Sequence, residues 1–500
     1  MHSSLQVDGN LSPIVGVLAC ALVLVSAFVM LGFGTKYAPR NAANSLYLPS
    51  RIPILGNTLS FAMNVGCYHE WLTGHSLKRD GQPFALHLVG KNDIMYVSRP
   101  EHFAEILKTQ SSNFIKSDSV RDTFDDFLGE NIVLLNGEQW QFHRRIMANL
   151  LTARALPGKV LEEASNTKQL FDMNKLFRQF TLDTFVEIGF GCKLNLLTSG
   201  KEHLFEIAFD DANRITSERF TKPTWIWKPM RWLNIGSERR LREAIGEMND
   251  FIVNLIMDAM AQIKAEDQLA CKNIMTILLT SDQDIAPTQV RDIALTGLEA
   301  GRNTSADTLA WLFHALSLNP RVEKKLRAEI LTKLPKFKES DTYVPSFDEI
   351  QDLPYMEATI RETFRLFPSI PLIPYHCARD TVLKDGTFVP AGFDVFLFLY
   401  GAGRLTSVWG SDALSFIPER FLDEETGHLL QDPPANYSAF SSGPRVCIGR
   451  NLAMVELKMT IATVVSQFTL TEEPGQDVRP IVDLTLTMKN PLVMHVHAVN

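Results

Sequence analysis

Close pairs of cysteine are missing from this chain. Its six cysteines, Cys20, Cys67, Cys192, Cys271, Cys377 and Cys447, are scattered along 500 residues. That excludes a disulfide framework and the spacing of a structural zinc site, and it suits a reducing compartment. Blocks of lysine and arginine are missing too, and the formal net charge is −8. Both argue against nucleic-acid binding along a basic face. No G-x-G-x-x-G follows a strand-like stretch, so the chain carries no recognisable dinucleotide module. Repeats and low-complexity tracts are absent. What remains is 45% hydrophobic and 21% charged, ordinary for a chain that buries a large core. A lone cysteine doing chemistry is compatible with all of this.

One long uncharged run stands out, from Pro13 to Phe33. As a helix it spans roughly 30 Å, the thickness of a bilayer's hydrocarbon core. A cleaved signal peptide is the plainer alternative, but the preceding MHSSLQVDGN lacks Lys and Arg and no clear cleavage site follows. Lys36, Arg40 and Arg51 come after the run and Asp8 before it. Basic residues prefer the cytosolic side. The expected organisation is a luminal 1–12, a transmembrane signal-anchor helix over 13–33, a linker with a proline-rich bend over 34–58, and a cytosolic catalytic domain over 59–500.

Beyond the linker, Phe84, Leu86 and Leu88 alternate, Gly90–Asp93 turns, and Ile94–Val97 returns, which reads as a hairpin. Leu241, Ile245, Met248, Ile252 and Leu255 recur at helical steps. A longer apolar helix is expected from Pro287 to the Asn319-Pro320 stop, and another around Tyr355–Leu366, ended by Pro368. Leu484–Lys489 and Val493–Val499 read as a closing hairpin. His495 and His497 share one strand face and lack a third nearby ligand, so they read as ordinary strand histidines. One large, mainly α domain with small β-sheets is the simplest account.

The strongest signal is Phe440-Ser-Ser-Gly443-Pro-Arg445-Val-Cys447-Ile-Gly449, followed by the helical RNLAMVELKMTIATVV. Gly443 and Gly449 allow a tight or positive-φ backbone, and the loop delivers a cysteine to a helix N-terminus. Backbone N–H groups and the helix dipole stabilise a thiolate there. Arg445 adds positive charge suited to an anionic partner. A buried structural cysteine beside a turn is the plainer alternative.

These residues resemble the haem-binding loop of the cytochrome P450 superfamily, F-x-x-G-x-R-x-C-x-G, and the chain resembles that family over nearly all of its length after the linker. The resemblance implies that Cys447 is the axial ligand of a b-type haem, that Phe440 packs beside it and that Arg445 meets a propionate. A thiolate ligand pushes electron density onto iron and favours O–O cleavage. Glu362-Thr-Phe-Arg365 and Pro418-Glu419-Arg420-Phe421 match the family's E-x-x-R and P-E-R-F. They imply a structural Glu362–Arg365–Arg420 cluster that holds the loop. Trp140 and Arg144 match W-x-x-x-R, implying propionate contacts. After Pro371, where the family often has an arginine, Tyr375 or the adjacent His376 could serve instead. Ala300-Gly301-Arg302-Asn303-Thr304-Ser305 resembles the oxygen-activation motif, in which Ala300 and Gly301 leave room over the iron and Thr304 supports proton delivery. The acid of that motif is replaced by Asn303, so the relay must run through Asn-bound water, Thr304 or another group.

NGEQWQFHRR, AGRNTSADTLAWLFHALSLNP and RETFRLFPSIPLIP resemble the eukaryotic microsomal fatty-acid omega-hydroxylase group. This implies an endoplasmic-reticulum monooxygenase that oxidises a long apolar substrate near its methyl end. O2 is the co-substrate, and electrons come from NADPH through a separate NADPH–cytochrome P450 reductase. Arg144, Arg145 and Arg450 are candidate docking residues for its acidic face. Two alternatives stand beside it: a haem-thiolate isomerase or dehydratase acting on hydroperoxides, and a non-catalytic membrane haem protein.

Overall fold

Proline and glycine punctuate the chain where its elements begin and end. The computed structural model describes residues 46–48, 52, 55–147, 170–199, 202–264, 274–279, 285–340, 343–430 and 439–499. The expected anchor over 13–33 lies outside these residues. No helix among the described residues is long and apolar enough to cross a membrane.

The helices that build the site are α1 (Thr58–Asn64), α2 (Gly137–Met147), α3 (Met173–Phe190), α4 (Leu204–Thr221), α5 (Thr224–Leu233), α6 (Gly236–Lys264), α7 (Pro287–Leu318), α8 (Pro354–Leu366) and α9 (Arg450–Gln467). Both α7 and α8 open on proline, whose fixed φ and missing N–H suit a first turn. The periodic stripe on α6 faces inward, with Leu241, Met248 and Ile252 buried against Phe205, Phe209 and Ala212 of α4. Along α7, Phe313 stacks on Phe177 of α3 with ring centres 5.5 Å apart. A second core joins α7, α8 and α9 through Trp311, Ile360, Phe364, Leu457 and Ile461.

The sheets are small. β1 (Phe84–Leu86) and β2 (Ile94–Val97) form the expected hairpin, with Phe84 opposite Tyr96. β3 (Phe114–Ile115) and β4 (Phe171–Asp172) are two-residue strands. β5 (Leu372–Cys377), β6 (Thr381–Val382), β7 (Phe388–Val389) and β8 (Asp394–Phe398) follow α8. β9 (Phe468–Glu472) and β10 (Val493–Ala498) close the chain. One five-stranded sheet has the order β1-β2-β8-β5-β3, with β8 parallel to β2 and antiparallel to β5.

The expected hairpin between Leu484–Lys489 and Val493–Val499 is not formed. β10 pairs with β9 and β4 instead. The 484–489 segment has other partners: Trp311 donates to the Leu486 carbonyl, Leu486 N donates to Ser369 O, and the Thr485 and Thr487 hydroxyls both donate to Asp307. A backbone tied to α7 in this way is not free to pair along β10.

Candidate active site

The cysteine loop is closed by Cys447 N donating to the Phe440 carbonyl at 2.9 Å. Gly443 has φ +67, and a Cβ there would lie 2.1 Å from the Leu107 carbonyl oxygen, so only glycine fits. Gly449 needs no such freedom. It has φ −79 and stands at the N-cap of α9. Phe440 meets Phe364 of α8 edge-on at 5.2 Å, and the Arg450 guanidinium lies 5.9 Å from its ring. The Cys447 sulfur is accessible, yet protein surrounds it closely enough for burial to push its thiol pKa up. The Gly449 and Arg450 amides and the charges of Arg144 and Arg450 act the other way. Those opposing groups are what a metal-ligating thiolate requires.

Positive charge gathers beside this loop. Arg445 stacks over Trp140 at 4.2 Å, and its Nη2 donates to Asn136 Oδ1 at 3.1 Å. Its buried Nη1 has no hydrogen-bond partner among the described residues. Arg144 donates to the Val446 carbonyl at 2.8 Å. Lys116, only 7% exposed, donates to the Pro374 carbonyl and lies 4.1 Å from the Tyr375 ring centre. Burial, reinforced by Arg445, pulls its ammonium pKa down to about 7. Within the described residues, only carbonyl and amide oxygens accept hydrogen bonds from these three cations.

Tyr375 and His376 point to opposite faces of β5. Tyr375 is buried beside the cation cluster, and burial pushes its hydroxyl pKa up to about 12. His376 turns to Asp394 on β8, with Nδ1 2.9 Å from Oδ1. The structure therefore brings Tyr375, and not His376, to the cysteine loop.

On α7, Ala300 is exposed and Thr304 half-buried, four residues apart on one face, whereas Arg302, Asn303 and Ser305 are buried. Thr304 Oγ1 donates to the Ala300 carbonyl at 2.5 Å. The helix passes the cysteine loop: Leu295 and Leu298 share one apolar cluster with Leu452, with Ile448 and Trp140 packed against it. Gly301 stands at a close helix contact. A Cβ there would lie 2.1 Å from the Phe185 ring, so this glycine lets α3 and α7 approach. Asn303 turns away from Thr304, donating to Glu299 Oε1 at 3.1 Å and accepting from Arg302.

Glu362, Arg365 and Arg420 lie together. Arg365 makes two 2.7 Å bonds to Glu362 and donates to the carbonyls of Gly403, Ala413 and Ser415. Glu362 accepts from Ile417 N at 2.7 Å, and Arg420 approaches it at 3.6 Å. On β10, His495 bonds Glu473 and His497 bonds Thr471. Among the described residues no group of three His, Cys, Asp or Glu could hold a metal ion.

Sequence reasoning missed Lys116, Asn136 and Glu299. Lys116 and Asn136 reach the site through the β3–β5 pairing and two mutual amide bonds, which no local pattern announces. Glu299 had a signal, being an acid four residues before the amide at 303.

Comparison with known proteins gives this arrangement a context. Residues 47–496 match the family model described as Cytochrome P450. Cytochrome P450 94A1 of Vicia sativa is 32% identical, covering 86% of this chain and 88% of its own. Alkane hydroxylase MAH1 of Arabidopsis thaliana is 28% identical, covering 80% and 83%. A crystal structure of a mutant cytochrome P450DA haem domain superposes with a TM-score of 0.77 at 20% identity, covering 91% of this chain and 97% of the other, and supports the fold. The chain belongs to the cytochrome P450 family, and its enzymatic class is that of a monooxygenase.

Proposed function

We propose that this protein is a membrane-anchored hydroxylase of long apolar chains, in which Cys447 holds the haem iron and Thr304 supports oxygen chemistry above it. The family uses a thiolate-ligated haem, O2 and electrons supplied by a reductase. The observation that carries the assignment is the group of cations around the loop. Lys116, Arg445 and Arg144 lack carboxylate partners among the described residues, and Arg445 keeps an orphaned buried N–H. Buried charge without compensation is costly, and the two propionates of a haem would supply what is lacking. Trp140 and Tyr375 would pack beside those propionates. Glu362, Arg365 and Arg420 would hold the loop without touching the reacting atoms. The bound haem would supply the redox chemistry, and this chain's residues orient the substrate, exclude water and manage protons.

The apolar substrate is supported by the resemblance to omega-hydroxylases and by a relative that is itself named an alkane hydroxylase. Attack at a terminal carbon requires the chain end to be held over the iron. A surface patch supports access from a bilayer. Met63 on α1 is 73% exposed, and Trp225 and Trp232 on α5 are 62% and 83% exposed. The Gly90 turn joins the two helices, since Val89 N donates to Thr58 and Thr224 donates to the Gly90 carbonyl. Exposed apolar patches with tryptophan suit a membrane interface, and the proposed anchor over 13–33 precedes α1 in the sequence. We place the domain on the cytosolic face of the endoplasmic reticulum. NADPH–cytochrome P450 reductase would dock near exposed Arg450, with Arg144 and Arg145 as further contacts; the Arg145 side chain lies outside the described residues.

The test is the spectrum of the reduced protein with carbon monoxide, for wild type and Cys447→Ala. A strongly red-shifted Soret band, lost in the variant, is expected. Reductase-supported turnover of alkanes and fatty acids of graded length should then give terminal alcohols. Haem binding that is unchanged without Cys447 would overturn the assignment.

A further inference from the structure

Position 303 holds an amide, and an acid stands one helical turn earlier. Glu299 and Asn303 share a face of α7, and the Asn303 amide donates to Glu299 Oε1. Glu299 is buried, and its Oε2 has no hydrogen-bond partner among the described residues. Burial is the main force pushing its carboxyl pKa up to about 8. Asp483 and Asp210 push the same way, against Arg302 and the Asn303 bond. These are the charged groups that face it: Arg302 on α7, Asp210 on α4, and Asp483 in the segment before β10, itself bonded by Ser217. A carboxyl still protonated near neutrality, with a free oxygen, is equipped to donate a proton.

A second observation supplies a way in from water. Arg302 is fully buried and donates to Asn303 and to Asp210, while its Nε and Nη2 have no partners among the described residues. Asp210 has a side chain 43% exposed. With Arg178 and Glu206 it lines a surface cavity of about 440 Å3. Unpartnered N–H groups between a buried acid and a cavity are sites where water is held. On the inner side, Asn303 is followed by Thr304, whose face of the helix is accessible.

We propose that Glu299, held by Asn303, supplies the protons consumed in oxygen reduction by way of Thr304, and is reprotonated from the cavity at Asp210. This rests on the assignment of Thr304 made above. The reaction balances as RH + O2 + 2 e− + 2 H+ giving ROH + H2O. The reductase supplies the electrons, one oxygen atom enters the C–H bond, and the other leaves as water carrying both protons. In each transfer the O–H bond of Glu299 breaks and one forms on a water bridging to Thr304, whose hydroxyl accepts a proton from that water as it releases its own toward the oxygen being reduced. The carboxylate then takes a proton from cavity water. Arg302 orders the path and restrains the Glu299 pKa. Glu299 acts through Thr304 and is a positioning residue for the proton.

The experiment uses the full chain. Infrared spectra of the wild type should show protonated-carboxyl absorption that is lost as pH rises through about 8, from Glu299 and from buried Glu456, and Glu299→Gln should lose the Glu299 share while the Glu456 share remains. With haem and reductase, Glu299→Gln should keep the wild-type carbon monoxide spectrum. Its product per NADPH should fall about tenfold, hydrogen peroxide should rise, and the alkaline limb of the pH profile should disappear. Adding Asn303→Asp to Glu299→Gln should restore most of the coupling, a rescue that a packing role would not give. If Glu299→Gln does not fold, Asp210→Asn should divert electrons to peroxide about twofold, and unchanged coupling there would overturn the proposal. A folded Glu299→Gln with wild-type coupling and pH profile would overturn it while leaving the thiolate assignment standing. A wild type without the thiolate spectrum would overturn that assignment instead.

Discussion

Two buried helices carry the same pattern, a glutamate followed three residues later by an arginine, and use it in opposite ways. On α8, Glu362 and Arg365 are both fully buried and bond each other twice, and three carbonyls complete the guanidinium. On α7, Arg302 turns from Glu299 to Asp210 and Asn303, leaving two of its nitrogens and one Glu299 oxygen without partners among the described residues. The i, i+3 spacing only makes contact possible. What surrounds it decides whether the pair becomes a closed clamp or an open polar path. A closed network is rigid because every group is satisfied, and an open one keeps capacity for water and protons.

The largest effect should come from breaking the closed pair. Arg365→Met leaves Glu362 buried with one backbone donor and a distant Arg420, and strips three carbonyls of their partner. Removing one partner of a buried pair costs about 3–5 kcal/mol. Thermal unfolding and haem content should both fall sharply, and a variant as stable as wild type would show that the clamp is dispensable.

A middle-sized effect is expected where α3 meets α7 beside the open path. Gly301→Ala drives a methyl into the Phe185 ring, which should cost about 1–3 kcal/mol by overpacking. Adding Phe185→Leu should recover part of the loss. If the double variant is no more stable than Gly301→Ala, the close approach is not the reason for glycine, and room over the iron is left as its role.

How much of this was legible in the sequence follows the same division. Contacts made along one helix or one short loop were readable: Glu362 with Arg365, Trp140 with Arg144, and the Phe440–Gly449 loop all have fixed spacings. The helix start at Pro287 and the stop before Pro368 were readable because proline acts locally. Contacts made across the fold were not. Lys116 reaches the cation cluster through strand pairing, and Tyr375 rather than His376 faces it because of the phase of β5. The 484–489 segment alternates like a strand but is held by Trp311 and Asp307 of α7. The packing of Gly301 against Phe185 was not readable either, because Phe185 lies 116 positions earlier in the chain.

The smallest change in stability, and the sharpest contrast with Arg365→Met, is expected for Arg302→Met. This substitution removes a buried charge with two unpartnered nitrogens, and Asp210 is exposed enough to regain water. The relief of burying an incompletely compensated charge offsets the lost bonds to Asn303 and to the half-exposed Asp210, so unfolding at neutral pH should shift by about 1 kcal/mol or less. The effect should appear in the pH dependence. Burial raises the Glu299 pKa from 4.5 to about 8, and Arg302 is the main group restraining it. Between those pH values the folded state binds more protons than the unfolded state, so stability falls as pH rises through that interval. Without Arg302 the folded pKa climbs further, and the decline must extend beyond pH 8. The Glu299 share of the infrared carboxyl absorption should persist to correspondingly higher pH, while the Glu456 share stays where it was. If Arg302→Met costs as much as Arg365→Met, or leaves that titration unmoved, the two Glu-x-x-Arg pairs are alike after all and the path on α7 is closed.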